Sequence, residues 1–298
     1  MKKILVLGAS GQIGRALKKN LIEWNEVEFL SRKDLDFQKI ELIETKIKKF
    51  QPDFIINAAA YTNVDGAEDS REEAFQINSF ALDKLSKLAD SYGIVLVHFS
   101  TDYVFDGQKS TPYLETDIPN PLSIYGKSKL EGEKFIENNC SKFFIIRTSG
   151  VISKNEDNFI SKIKKFSETK KNLSVITDQI TSINYAAYVS KSTSTLLKKI
   201  DDNIENEKRW GTYHMSGNKS GSWFDFAIYA QKISRATDPK SFFSETTIEP
   251  INSENFNQKA KRPSYSFLSS DKLNTEFGIK LPNWEESISE VIKENGKK

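Results

Sequence analysis

The sequence is poor in the residues that build disulfides, metal centres and membrane spans. Its 298 residues include one cysteine, Cys140, and two histidines, His98 and His214. A single cysteine cannot form an internal disulfide, and no cluster of cysteine, histidine and carboxylate residues has metal-ligand spacing. No apolar run approaches the roughly 18 residues that a membrane-spanning helix needs. We therefore predict no metal site, no membrane association and a cytoplasmic location.

An excess of charge of one sign is also absent. The chain has 43 Lys and Arg residues against 41 Asp and Glu residues, which gives a net charge of +2. A nucleic-acid-binding protein usually has a concentrated basic excess, so we expect no nucleic acid partner. The apolar run in "MKKILVLGAS" is short and is followed by glycine and serine. It is typical of a buried first strand rather than of a secretion signal.

The first half of the chain contains a regular alternation of short apolar runs and amphipathic segments. Runs such as "KKILVLG", "PDFIINAAA" and "IVLVHFS" are typical of strands that are covered on both faces, and apolar residues between them have helical spacing. This pattern predicts an α/β fold with a Rossmann-type doubly wound parallel sheet. We expect a dinucleotide-binding domain over residues 1–149 and a smaller α/β domain, mainly substrate-binding, over 150–298. A helix near 184–200 is expected to pack back onto the first domain, and residues 71–93 to form one long helix.

A glycine-rich turn connects the first strand to the first helix. In "LGASGQIG", Gly8, Gly11 and Gly14 meet the needs of a tight turn, of close approach by a pyrophosphate and of a helix start with free N–H groups. At the first strand of an alternating sheet, these glycines predict a dinucleotide site. We assign to the cofactor the residues of this turn and residues that follow the next two strands: Gly8, Ser10, Gly11, Gln12, Ile13, Gly14, Ser31, Arg32, Asp36, Phe37, Ala58, Ala59 and Ala60.

The end of the second strand favours NADPH over NADH, which stays possible. An acidic residue that holds the ribose hydroxyl of NAD is expected there, but Ser31 and Arg32 occupy the place and suit a 2′-phosphate. Arg32 could instead be a solvated turn charge. Asp36 and Phe37 could contact the adenine or form a helix N-cap with a core aromatic. The small alanines after the third strand fit either a nearby cofactor or ordinary packing.

A tyrosine and a lysine lie four residues apart in "IYGKSKLEGE". Tyr125 and Lys129 share one helix face, and the pair could be ordinary surface residues. An ammonium about 4 Å away could instead lower the pKa of a tyrosine from about 10 toward 7, which would make the hydroxyl a proton donor for an alkoxide. Ser100 and Thr101, at the end of the fourth strand, supply hydroxyls for the same oxygen. We predict that Thr101, Tyr125 and Lys129 are catalytic, whereas the two histidines do not compete for that role.

Several motifs together resemble the dTDP-4-dehydrorhamnose reductases of the extended short-chain dehydrogenase/reductase family. They are the glycine turn, "NAAAYTNVDGAE", "STDYVFDG", "YGKSKLEGE", "RTS", "DQ" and "RPSYSFL". The resemblance implies NADPH- or NADH-dependent reduction of the 4-keto group of a dTDP-6-deoxy sugar to dTDP-L-rhamnose, a donor for cell-surface polysaccharide. It also implies that Tyr125 and Lys129 contact the cofactor, and it leaves a homodimer possible. To the nucleotide-sugar substrate we assign Val64, Asp102, Tyr103, Asn158 and Arg262.

The chain departs from the family pattern in the part that should hold the sugar. Gly150 stands where an aromatic residue is usual, and "DQITSIN" replaces "DQxGxPT", with Thr181, Ile183 and Asn184 at the changed positions. Two alternatives therefore stay open: a reductase of a different nucleotide sugar, and a non-catalytic NADP-binding regulatory subunit. Ala16 and Ala187 replace the glutamates with which some relatives bind magnesium at a dimer contact, so we expect no magnesium. Tyr103 replaces the glutamate of the related dehydratases, which favours a reductase.

Overall fold

The computed structural model describes residues 2–24, 26–39, 41–154, 157–202, 204 and 207–296. Within these residues the strands are β1 (Lys3–Leu7), β2 (Glu26–Leu30), β3 (Phe54–Asn57), β4 (Val95–Thr101), β5 (Phe143–Thr148), β6 (Gly150–Ile152), β7 (Asn172–Ile176), β8 (Ile180–Thr181), β9 (Ile183–Tyr185), β10 (Gly211–His214), β11 (Gly221–Ser222) and β12 (Thr247–Ile251). The helices are α1 (Gln12–Asn20), α2 (Leu42–Phe50), α3 (Val64–Asp69), α4 (Arg71–Phe75), α5 (Ala81–Ser91), α6 (Ile124–Asn139), α7 (Phe159–Ser167), α8 (Ala186–Asp201), α9 (Trp223–Thr237), α10 (Phe242–Glu245), α11 (Asp271–Phe277) and α12 (Trp284–Gly296).

The central sheet has six parallel strands in the order β10-β5-β4-β3-β1-β2. This confirms the predicted Rossmann-type doubly wound fold. From β1 the chain first goes to β2 on one side and then to β3, β4 and β5 on the other, so the strand order reverses between β1 and β3. Open α/β sheets bind ligands at the carboxyl ends of the strands at such a reversal. The glycine turn follows β1 directly and therefore lies at this place.

Alternate side chains of each strand enter different hydrophobic cores. Ile4 and Val6 of β1 pack with α1, α8 and α11, whereas Leu5 and Leu7 pack on the opposite face with α2, α5 and α6. All four side chains are almost completely buried. Because both faces are covered by helices, the strand runs are continuously apolar in the sequence.

A third core lies in the second half of the chain. It is formed by apolar residues of α7, α9 and α12 together with β6, β7 and β9. Two small parallel sheets, β7–β12 and β6–β9, contribute to this half. Residues after 150 also join the first half: α8 packs on α1, and β10 extends the central sheet beside β5. The division at residues 149 and 150 therefore stays a prediction about function, since the chain returns to the central sheet after it.

The single helix predicted for residues 71–93 is wrong in one respect. The helical path contains a π-helical segment, Gln76–Phe80, between α4 and α5. This segment lies against α6, where a Cβ on Gly132 would collide with the backbone oxygen of Asn78. The Asn78 side chain bonds both the N–H and the carbonyl of Tyr61 and reaches the Ser128 hydroxyl at 3.0 Å. The extra residue of a π turn is often found at such functional contacts.

A search of the described residues finds no helix whose length and hydropathy would let it cross a membrane.

Candidate active site

The end of β4 presents a threonine hydroxyl surrounded by polar groups. Every residue of β4 is buried, and the strand ends at Thr101. The Thr101 hydroxyl accepts the backbone N–H of Tyr103 at 3.1 Å and donates to Asp102 Oδ1 at 3.2 Å. It also has a hydrogen bond with the Tyr125 hydroxyl. Thr101 thus connects the tyrosine to a buried carboxyl group.

The first turn of α6 brings Tyr125 to this place. The Ser123 hydroxyl caps the helix by accepting the Gly126 N–H at 3.1 Å. A Cβ on Gly126 would collide with the Tyr103 carbonyl, so glycine allows the helix to approach the end of β4. The rings of Tyr103 and Tyr125 meet edge to face, with centroids 6.1 Å apart. The close contact of α6 with β4 therefore fixes the position of the Tyr125 hydroxyl.

The expected lowering of the Tyr125 pKa by Lys129 is wrong in this structure. Burial raises the pKa of Tyr125 to about 12, which exceeds the opposing effect of the Thr101 hydrogen bond, and the nearby Asp102 charge adds to the rise. The Lys129 nitrogen instead bonds groups on β4, as described next. Tyr125 is consequently protonated at neutral pH, as a proton donor must be.

Lys129 is buried, with 1% of its surface exposed. Its Nζ donates to the Phe99 carbonyl at 2.7 Å and lies 3.1 Å from His98 Nε2. Removal from water lowers the pKa of Lys129 to about 7, an effect that the charge of Glu133 opposes. A buried lysine with a strongly perturbed pKa is typical of a functional site.

The sequence analysis missed His98 as part of this site. It was assigned to a buried strand, which is correct, but its ring contacts both Lys129 Nζ and, at 3.0 Å from Nδ1, the Asn57 side-chain nitrogen. Asn57 and His98 face each other in the β3–β4 register. Both residues belong to strands that were predicted for one parallel sheet, and a polar residue in each of these apolar strands was the signal that could have revealed the contact.

Asp102 is a buried carboxylate with three hydroxyl partners. Its Oδ2 accepts Ser266 at 2.5 Å and Thr181 at 3.0 Å, and its Oδ1 accepts Thr101. Burial raises the pKa of Asp102 to about 6 in spite of these hydrogen bonds. Asp102 was predicted to bind substrate, and its oxygens are occupied by hydroxyl groups of this chain.

The glycine turn has the shape that a dinucleotide requires. Gly8 has a φ of +81°, and a Cβ there would collide with the backbone of Ala58 and Ala59. A Cβ on Gly14 would strike the backbone of Gly8 and Ala9, whereas a Cβ on Gly11 would meet only the Gly8 oxygen, at 3.6 Å. No side chain caps the N-terminus of α1. The open side at Gly11 and the uncapped helix start suit a pyrophosphate.

The residues after β2 are partly engaged with one another. The Ser31 hydroxyl and N–H both donate to Asp34. Arg32 is exposed and forms ion pairs with Asp36 at 3.7 Å and Glu73 at 3.3 Å. An exposed guanidinium at this position is free to turn toward a phosphate, so its assignment to the cofactor stays a prediction.

Asp36 and Phe37 have the second arrangement considered for them, a helix N-cap followed by a core aromatic residue. The Asp36 carboxylate accepts the Gln38 N–H at 3.0 Å, as a capping residue does. Phe37 begins a short 3₁₀ turn and is 4% exposed in the core beneath β1 and β2. Its ring is therefore held in the core and does not form an open surface for an adenine.

Gln12 connects the glycine turn to the second half of the chain. Its Nε2 donates to the Val151 carbonyl at 3.2 Å, and its Oε1 accepts the Ser153 hydroxyl at 2.7 Å and Asn158 Nδ2 at 3.4 Å. Asn158 caps α7 through a reciprocal pair of hydrogen bonds with Ser161. The predicted cofactor residue Gln12 and the predicted substrate residue Asn158 are thus neighbours.

The other predicted substrate residues meet around Tyr103. Arg262 binds Asp65 through two N–H groups, at 3.0 and 2.7 Å, and has a hydrogen bond with the Tyr103 hydroxyl. Val64 precedes Asp65 as the first residue of α3. Tyr103 therefore connects Arg262 to Tyr125, and Val64 is the sequence neighbour of Asp65, the ion-pair partner of Arg262.

The positions that depart from the family pattern have structural partners. Ile183 is fully buried, and Asn184 bonds the Thr148 and Ser149 hydroxyls and accepts the Gly217 N–H at 2.8 Å. A Cβ on Gly150 would lie 3.0 Å from Ile183 and 3.4 Å from the Trp223 ring. An aromatic ring from α9 thus occupies the space beside Gly150.

Comparisons with known proteins agree along the whole chain. A family model described as RmlD substrate binding domain matches residues 1–296. The dTDP-4-dehydrorhamnose reductase of Sinorhizobium fredii is 35% identical over 290 residues, which cover 97% of this chain and 96% of the relative. Two solved dTDP-4-dehydrorhamnose reductases are each 32% identical. The one from Clostridium acetobutylicum has a TM-score of 0.88 and covers 98% of this chain and 99% of its own. The one from Bacillus anthracis, in complex with NADP, has a TM-score of 0.86 and covers 99% and 100%.

Proposed function

The chain belongs to the RmlD substrate binding domain family, that of the dTDP-4-dehydrorhamnose reductases, and from this membership we propose its reaction and the residues that perform it. The protein is an NADPH-dependent oxidoreductase that reduces the 4-keto group of dTDP-4-dehydro-L-rhamnose to give dTDP-L-rhamnose. NADH is the alternative cofactor. The nucleotide sugar is the small-molecule partner of the protein.

A continuous set of contacts from the glycine turn to the lysine is the observation that carries the proposal. Gly8 packs on the backbone of Ala58 and Ala59, directly after Asn57. The Asn57 side chain bonds His98, and His98 contacts Lys129. The glycine turn would hold the dinucleotide, and these contacts link the turn to Lys129, beside which Tyr125 and Thr101 also lie.

The chemistry divides between the cofactor and the chain. When bound, NADPH supplies the hydride that reduces the keto carbon. Tyr125 donates its hydroxyl proton to the oxygen that becomes the alcohol, and its pKa of about 12 means that the hydroxyl is protonated at neutral pH. Thr101 lies close enough to affect the pKa of Tyr125 and would donate to the same substrate oxygen by turning its proton away from Asp102. Lys129 lies one turn along the helix and would hold the cofactor ribose.

The remaining assignments follow from the same proposal. Ser10, Ile13 and Ala60 line the cofactor side together with the glycines and Arg32. Tyr103, Arg262 and Val64 hold the sugar nucleotide beside Tyr125, and residues 150–298 supply most of its pocket. A cytoplasmic location and a possible homodimer stay predictions of the sequence analysis.

The test is NADPH oxidation by the purified protein with dTDP-4-dehydro-L-rhamnose, with mass analysis of the product. We expect a product that has gained two hydrogens, and no oxidation of NADPH with dTDP-glucose, which has no keto group. Oxidation only with a different nucleotide sugar would replace the substrate assignment. No oxidation with any of a panel of keto sugars would contradict the enzymatic function.

A further inference from the structure

Four groups at the carboxyl ends of β3 and β4 form one line of hydrogen bonds. The Ala59 N–H donates to Asn57 Oδ1 at 3.0 Å, and Asn57 Nδ2 lies 3.0 Å from His98 Nδ1. His98 Nε2 lies 3.1 Å from Lys129 Nζ. Asn57 and His98 are fully buried and Lys129 is 1% exposed, so water does not compete for these bonds.

The backbone N–H at the start of the line fixes the direction of each bond. Because Ala59 can only donate, the Asn57 atom that faces it is the oxygen, and the atom that faces His98 is the NH₂ group. His98 Nδ1 must then accept, and a neutral imidazole that accepts at Nδ1 carries its proton on Nε2. The Nε2–H faces Lys129, so the lysine nitrogen must accept as well, and only a neutral amine can do so.

Other arrangements leave buried donors facing each other. An ammonium on Lys129 would require His98 to carry its proton on Nδ1, opposite the Asn57 NH₂ group. A flipped Asn57 amide would place its NH₂ group against the Ala59 N–H. A buried polar group without a partner is energetically unfavourable. An imidazolium is disfavoured too, because burial holds the pKa of His98 well below its usual value.

Glu133 is a carboxylate whose charge acts on Lys129, and it is paired with a guanidinium. Glu133 lies one turn further along α6 and binds Arg147 of β5, with an Nη2–Oε2 distance of 2.6 Å. Tyr125 lies one turn earlier on α6 and is protonated. Burial lowers the pKa of Lys129 to about 7 although the Glu133 charge opposes this, which agrees with the direction of the hydrogen bonds.

Asp102, at the end of β4, is the remaining titratable group of this region. Its charge acts on Tyr125 and Tyr103. Its own partners are the hydroxyls of Thr101, Thr181 and Ser266, and among the residues that the structure describes it has no hydrogen bond with Lys129.

We propose that Asn57 and His98 hold Lys129 as a neutral amine in the cofactor-free protein, with every hydrogen bond directed from the Ala59 N–H to the lysine nitrogen. His98 is a positioning residue, since it acts through Lys129. A neutral lysine does not stabilise a phenolate, so Tyr125 keeps the proton that a reduction consumes. This use of Lys129 rests on the proposed function, whereas its protonation state can be measured without activity.

The direct test is NMR of the cofactor-free protein labelled with ¹⁵N in histidine. Long-range ¹H–¹⁵N spectra separate a protonated ring nitrogen from a bare one. We expect the proton of His98 on Nε2. His214 is the internal control: its Nδ1 lies 3.1 Å from the Tyr113 carbonyl, which can only accept, so the opposite tautomer is expected. His98→Gln assigns the signals by their loss, and His214→Asn assigns them by elimination if the first variant does not fold.

Reversing the direction of these hydrogen bonds tests whether His98 controls the protonation of Lys129. In Asn57→Asp, one carboxylate oxygen still accepts a hydrogen bond from the Ala59 N–H. The other oxygen accepts a hydrogen bond from a His98 ring that is protonated on Nδ1. His98 Nε2 then becomes an acceptor for an ammonium on Lys129. We expect the His98 tautomer to switch and the midpoint of the Lys129 titration, followed by its ¹³Cε shift and assigned with Lys129→Met, to rise by about one pH unit or more.

The added charge of Asn57→Asp needs its own control, and the double variant with His98→Gln provides it. There the carboxylate stays but the imidazole is absent, and we expect most of the rise in the Lys129 midpoint to disappear. A wild-type His98 with its proton on Nδ1, or on both nitrogens, at neutral pH would overturn the proposal. An undiminished rise in the double variant would overturn the role of His98.

Discussion

Two buried ionisable side chains on α6, Lys129 and Glu133, lie one helical turn apart and differ in what surrounds them. Glu133 accepts three hydrogen bonds from the Arg147 guanidinium, with N–O distances of 3.0, 3.2 and 2.6 Å. Within the described residues, Lys129 Nζ has hydrogen-bond contacts only with an imidazole and a carbonyl. A buried charge with a bidentate partner maintains structure, whereas a buried group without an ionic partner has a perturbed pKa and is available for chemistry. We call the turn of α6 that carries Lys129 the reactive turn, and the turn that carries Glu133 the structural turn.

The largest expected effect is on the structural turn. Arg147→Met leaves Glu133 buried without its partner, and we expect the free energy of unfolding to fall by about 3–5 kcal/mol. Urea unfolding at neutral pH measures this change. The double variant Arg147→Met, Glu133→Gln removes both charges and should recover much of the loss. A single variant within about 1 kcal/mol of the wild type would contradict the account of this pair.

The corresponding substitution on the reactive turn, Lys129→Met, should change stability little and activity strongly. Lys129→Met removes a buried amine without stranding a charge, so we expect the free energy of unfolding to stay within about 1–2 kcal/mol of the wild type. We expect kcat/KM to fall on the order of 10²-fold or more, as when a group that acts on the transition state is removed. Urea unfolding and steady-state kinetics of the two Met variants, side by side, show whether the two turns differ in this way.

The smallest expected effect is on the stability of an Asp102 variant. The cost of burying the Asp102 carboxylate is only partly offset by its hydrogen bonds with hydroxyl groups. Its pKa in the folded protein, about 6, lies above its ordinary value of 3.8. Between these values the folded state binds more protons than the unfolded state, so stability falls as the pH rises through this window. We expect Asp102→Asn to be more stable than the wild type by about 1–3 kcal/mol above pH 7.

The pH dependence of that difference is the check. Urea unfolding at several pH values should show the gain of Asp102→Asn at neutral pH and its disappearance below about pH 4, where Asp102 is protonated in both states. A gain that does not change with pH would mean that the substitution acts through packing rather than through the charge of Asp102.

Local patterns in the sequence were sufficient to predict the sheet and the glycine turn. Alternating apolar runs and helical spacing report burial on both faces of a strand, and this property is visible within a few residues. Tyr125 and Lys129 could be paired for the same reason, since four residues along a helix always share a face. These features depend on neighbours in the sequence.

The partners of the lysine and of Asp102 could not be predicted in this way. His98 meets Lys129 because of the contact between α6 and β4, and Thr181 and Ser266 reach Asp102 from 79 and 164 residues away. The pKa of Tyr125 was predicted to fall, although it rises, because the prediction assumed that the Lys129 ammonium faces the phenol. In the folded chain the amine faces the strand, and burial dominates.

The most direct test of the reactive turn compares two tyrosines whose rings touch. Tyr125→Phe removes the proposed proton donor, and Tyr103→Phe removes a hydroxyl from the adjacent ring. With dTDP-4-dehydro-L-rhamnose and NADPH, we expect kcat of Tyr125→Phe to fall by about 10²–10⁴-fold with NADPH binding retained, whereas Tyr103→Phe keeps kcat within about tenfold of the wild type. Turnover by Tyr125→Phe within about tenfold of the wild type would contradict the assignment of Tyr125 as the proton donor.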